Sequence, residues 1–71
     1  MNEQIKQDLE AALSNTENVR EKIKEQLEEI QKSDKPDSKQ LHLLVDYKLE
    51  LLDIKLRLKD MIRNLHLIKF D

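Results

Sequence analysis

The side chains that could carry chemistry in this chain are few and poorly spaced for it. The 71 residues include no cysteine, so a disulfide or a cysteine-based metal site is excluded. His42 and His66 are the two histidines, and their separation matches no metal-ligand spacing. Catalysis needs a nucleophile beside a base, paired carboxylates in a pocket or a bound metal, and no such arrangement is recognisable. We therefore expect no catalytic residue, no cofactor or metal site, and no enzymatic activity.

Charge gives no signal for a nucleic-acid or membrane partner. Thirteen basic and fifteen acidic residues give a formal net charge of −2, so no global field draws the chain onto polyanions. One tyrosine and one phenylalanine offer little surface for stacking bases. The N-terminal residues lack the pattern of a signal peptide, and no apolar run approaches the roughly 20 residues that span a bilayer. These features predict a cytoplasmic protein with no membrane association.

One turn divides the chain into two long helical segments. The absence of glycine disfavours tight β-hairpin turns and phosphate-cradling loops. Turn formers cluster around Pro36. Asp37 or Ser38 can cap the second segment, and Asp37 with Gln40 three residues on has the pattern of a helix capping box. We predict a single domain over 1–71, with helix one at about residues 3–32, a turn at 33–37 and helix two at about 37–69. Matched lengths and a short connection predict an all-α, coiled-coil-like antiparallel hairpin.

The weak point of helix one is residues 14–18. These are poor helix formers, and Ser14 with Glu17 forms a second capping pattern of its own. A break into two helices is therefore an alternative. Because the heptad phase passes through the segment and neither glycine nor proline interrupts it, we predict one continuous helix.

Apolar residues at alternating spacings of four and three predict a seam between the two helices. Thr16 and Gln26 are polar members that we expect to specify its register. Helix one contributes Ile5, Leu9, Val19, Ile23 and Ile30. Helix two contributes Leu44, Tyr47, Leu51, Ile54, Leu58, Met61, Leu65 and Ile68.

Helix two carries a second apolar stripe, named here the outer stripe. Its members are Leu41, Val45, Leu49, Leu52 and Leu56. At ~100° per residue Leu49 lies about 160° from Leu51, so helix one cannot cover both sides. Soluble monomers rarely leave such a surface exposed. The outer stripe is therefore predicted to be a dimer or partner interface, and a two-fold symmetric four-helix bundle is the simplest closed solution.

These features predict a small non-enzymatic protein–protein interaction module, a homodimeric regulator or adaptor of the kind that bacteria, phages or plasmids encode, acting on a partner protein. A scaffolding subunit of a larger helical assembly is one alternative, and a weak nucleic-acid-binding regulator is another. The segment from Ser38 to His42 resembles the Ser-x-x-Leu-Asp motif of the small sporulation phosphatases that dephosphorylate response regulators. His42 stands where that motif has its chemically required aspartate, so the chain is assigned to no family.

Overall fold

The computed structural model describes residues 2–69 as two helices joined by a short turn. Helix α1 spans Asn2–Lys32, helix α2 spans Ser38–Asn64, and a 3₁₀ turn follows at Leu65–Leu67. The helices pack side by side in opposite directions, giving a rod with extents of 58 × 14 × 13 Å. The predicted all-α hairpin is confirmed, and residues 2–69 contain no strand.

The turn between the helices is stabilised by hydrogen bonds from its own residues. The Asp37 carboxylate accepts from the backbone N–H groups of Lys39 at 2.9 Å and Gln40 at 3.4 Å, which makes Asp37 the N-cap of α2. At the end of α1, the backbone N–H and the hydroxyl of Ser33 both donate to the carbonyl of Ile30, at 3.1 and 2.9 Å. Both helix ends at the turn therefore have partners within the chain.

Helix α1 runs without interruption through residues 14–18. The hydroxyl of Thr16 donates to the carbonyl oxygen of Ala12 at 2.7 Å, so this polar group is satisfied inside its own helix at a part-buried position. Ser14 stays exposed and mid-helical. The predicted continuous helix is confirmed.

Helix α2 ends at Asn64, before the predicted end near residue 69. Leu65, only 6% exposed, begins the 3₁₀ turn, and the backbone N–H of Ile68 donates to its carbonyl at 3.1 Å. Nδ1 of His66 lies 2.9 Å from the carbonyl oxygen of Arg63. The tighter turn places Leu65 beside Ile5 and Leu9 of α1 at the open end of the hairpin.

Candidate interaction surfaces

The contact between α1 and α2 is a narrow strip in which little is fully buried. Among the described residues only Leu27 and Leu65 qualify, at 7% and 6% exposure. The other apolar members of the strip are part-buried: Ile5, Leu9, Ala12, Leu13, Ile23 and Ile30 on α1, and Leu44, Leu51, Leu58 and Ile62 on α2. The two helices therefore contact each other along a narrow strip and enclose very little buried core.

Helix α2 is rotated relative to the predicted seam. Five members of that seam are exposed to solvent: Val19 by 45%, Tyr47 by 48%, Ile54 by 43%, Met61 by 51% and Ile68 by 54%. In place of Tyr47, Ile54 and Met61, the part-buried residues are the next ones along, Lys48, Lys55 and Ile62. The difference is a rotation of roughly half of the ~100° between successive residues.

The rotation requires that lysine side chains be accommodated in the contact strip. Nζ of Lys55 lies 3.2 Å from Oε1 of Glu17 on α1, so its charge is paired across the hairpin. The hydrocarbon stem of a lysine can cover apolar surface while the ammonium stays in water. Lys55 therefore occupies the strip at little cost, and Ile54 turns to the edge.

One side of the contact strip is a polar furrow of about 480 Å³. Its lining is mostly charged: Glu17, Asn18, Arg20, Glu21, Lys24, Lys48 and Lys55. Nε of Arg20 is buried there without a hydrogen-bond partner in the described part of the chain. The furrow gives this side of the hairpin a mixed-charge character.

The other side of the strip is apolar and is named here the groove face. It consists of Val19 on α1 with Leu43, Tyr47, Ile54 and Met61 on α2. Shallow hollows follow it from end to end, of about 320 Å³ beside Leu43, 220 Å³ between Val19 and Ile54, and 620 Å³ beside Met61. The exposed members of the predicted seam thus line a row of separate hollows on this side of the hairpin.

The outer stripe is left largely uncovered by α1. Val45, Leu49 and Leu56 are 43%, 59% and 52% exposed, while Leu41 and Leu52 are part-buried at the edge of the hairpin contact. Sequence periodicity placed both apolar sides of α2. It did not show which apolar side chains of α2 contact α1 and which line the groove face.

The side chains considered for chemistry stay apart. His42 and His66 are exposed near opposite ends of α2. Within residues 2–69 no three histidine or carboxylate side chains are grouped to hold a metal ion, and neither described helix has a long enough apolar stretch to cross a membrane. Comparisons with protein-family models, curated proteins and solved structures found no match to this chain.

Proposed function

We propose that this chain is a non-enzymatic helical interaction module that forms a homodimer and binds a partner protein as a regulator or adaptor. The observation that carries the proposal is the exposed apolar surface on two sides of α2, the groove face and the outer stripe. A surface helix normally buries one apolar side. Two such sides are typical of an inner helix in a larger bundle.

The area of the hairpin supports this proposal. Its accessible surface of 5920 Å² exceeds by roughly 1,200 Å² the value of about 4,700 Å² expected for a compact monomer of 8.5 kDa. A standard protein interface removes about 800 Å² from each partner. The excess is large enough for a dimer contact.

Sedimentation equilibrium of the pure chain tests the homodimer. We expect a helical dimer over the micromolar concentration range. A poorly helical monomer would contradict the homodimer and favour the scaffolding alternative, in which a different protein completes the bundle.

The outer stripe is the surface that we assign to the partner protein. Leu49→Glu with Leu56→Glu places two charges at its centre, and burying unpaired charge opposes association. We expect this variant to lose proteins that the wild-type chain captures from its native host. Gln7→Glu with Ser14→Glu is the matched control, since it adds the same charges at the same spacing on the exposed side of α1. Equal capture by both variants would remove the outer stripe from the proposal.

The polar furrow favours a second candidate, weak nucleic-acid binding. Its basic side chains outnumber its acidic ones: Arg20, Lys24, Lys48 and Lys55 against Glu17 and Glu21. Binding to a short duplex should then fall steeply as salt concentration rises. Absence of binding at low salt would dispose of this candidate.

A further inference from the structure

We infer that the second copy of this chain docks on the groove face, with the two α2 helices antiparallel and the two-fold axis close to Ile54. The inference rests on the proposed homodimer and adds its face and register. The outer stripe then remains available to the partner protein.

The extent of the two apolar surfaces favours the groove face. It runs along the whole hairpin and takes side chains from both helices. The outer stripe belongs to α2 alone, and towards the end of that helix Lys59 and Arg63 replace its apolar residues. Two hairpins joined groove to groove bring four helices around one core, whereas contact through the outer stripe buries one helix of each chain. The groove arrangement therefore uses more of the excess area.

The positions of the apolar residues define the register. In an antiparallel symmetric pair, residues equally far from the axis on either side meet each other. Tyr47 and Met61 are each seven residues from Ile54. An axis at Ile54 therefore sets Tyr47 against the partner's Met61 twice, which is a favourable contact between sulfur and an aromatic ring.

The position of Val19 on α1 is consistent with the same two-fold axis. Val19 and Ile54 line one hollow in the middle of the groove face, so they lie at the same level of the hairpin. The ion pair between Glu17 and Lys55 fixes that level independently. One axis passing Ile54 therefore also places Val19 beside the partner's Val19, and both helices close around it.

Charge complementarity supports the register. Glu50 lines the hollow beside Ile54 and precedes it by four residues. Arg57 follows Ile54 by three residues and is exposed, and helical periodicity places it on the same side of α2 as Glu50. In this register Glu50 of each chain lies opposite the partner's Arg57. Within its own chain Arg57 pairs with Asp53 at 3.0 Å, with both side chains more than half exposed, so this pair is easily exchanged.

Helix α1 bears an unfavourable pair in this arrangement. The same axis brings Asp8 towards the partner's Glu29, and both are exposed. Like charges at such positions weaken association modestly. Glu29→Lys should therefore tighten the dimer severalfold, and an unchanged dissociation constant would contradict the pairing of α1 with its symmetry mate.

Single cysteines test the face directly, since the natural chain has none. Ile54→Cys places two thiols at the axis, and we expect most of the chain to form a disulfide-linked dimer under mild oxidation. Leu49→Cys, at the centre of the outer stripe, is the matched exposed control and should stay unlinked.

The outcomes separate the two proposals. A linked Leu49→Cys with an unlinked Ile54→Cys, or a dimer in which neither links, overturns the groove-face register and leaves the homodimer intact. Monomeric wild-type chain in sedimentation overturns the homodimer itself.

A charge exchange tests the register without altering the apolar contact. Glu50→Arg and Arg57→Glu should each weaken the homodimer severalfold, because like charges then meet at the edge. Mixed in equal amounts, the two variants should form more heterodimer than the statistical half, as measured by native mass spectrometry. Glu25→Arg mixed with Lys32→Glu, on the exposed side of α1, should give the statistical share. A statistical mixture for the first pair overturns the register.

Discussion

Lys48 and Lys55 lie in the strip where α2 contacts α1, although both are charged. Their stems supply apolar contact, while the ammonium of Lys55 is held by Glu17. Such positions would hold leucine or isoleucine in a self-sufficient hairpin. The two lysines therefore limit how much free energy the contact between α1 and α2 can contribute.

Glu17→Gln tests the cross-helix ion pair at the residue scale. Glu17 is about half exposed, at 49%, and such pairs contribute at most about 1 kcal/mol. We expect a loss of unfolding free energy within that limit in urea titrations, decreasing at 1 M salt because screening removes the attraction. Glu21→Gln is the control for lost charge alone. Equal losses for the two variants would contradict a specific pair.

At the element scale, the sequence was sufficient for the hairpin and its turn, and it narrowed the cap of α2 to Asp37 or Ser38, of which the structure uses Asp37. These features depend on local rules of proline, capping and helix propensity, which act within a few residues. The rotation of α2 was not predictable in the same way, because Leu44, Leu51 and Leu58 fit both seams. Whether Tyr47 or Lys48 joins these leucines in the contact depends on how α1 packs against α2.

The sign of the stability change caused by Ser14→Ala tests whether α1 is one continuous helix. In the interior of a continuous helix, alanine is favoured over serine by about 0.5 kcal/mol, so we expect stability to rise. If Ser14 capped a second helix, the same change would cost about 1 kcal/mol. Urea denaturation followed by circular dichroism distinguishes the two results.

Asp37→Ala tests the cap of α2. Removing the carboxylate leaves the N–H groups of Lys39 and Gln40 without this acceptor, which typically costs about 1 kcal/mol. Asp34→Ala, in the same turn, is the control for charge and should have little effect. A similar loss for both would mean that Asp37 acts through charge and not through capping.

At the scale of the whole molecule, the outer stripe belongs to α2 alone, whereas the groove face combines side chains of α2 with Val19 of α1. The sequence was sufficient to count the apolar sides of α2 but not to assign their neighbours, since Val19, Ile54 and Leu49 are all apolar and periodic. Only the packed hairpin divides them into a groove shared with α1 and a stripe that α1 leaves uncovered. The proposed dimer and partner sites follow from that division.

The proposed homodimer predicts that thermal stability depends on concentration. When folding and association are coupled, a tenfold increase in chain concentration stabilises the dimer by about 1.4 kcal/mol, which raises Tm by about 3–6 °C for a dimer of two such chains. Circular dichroism melts across a hundredfold concentration range measure this shift. A constant Tm would indicate a self-sufficient monomer.

The turn between α1 and α2 has a consequence for how the chain folds. Residues 2–69 contain no backbone with positive φ, and the reversal uses serine, aspartate, lysine and proline in place of glycine. Glycine would give the unfolded chain more conformations to lose, and proline restricts them. The turn segment therefore loses less conformational entropy when the chain folds back on itself. We expect the hairpin to close quickly, so that in the proposed dimer the encounter of two chains, and not the bending of one, limits the rate of folding.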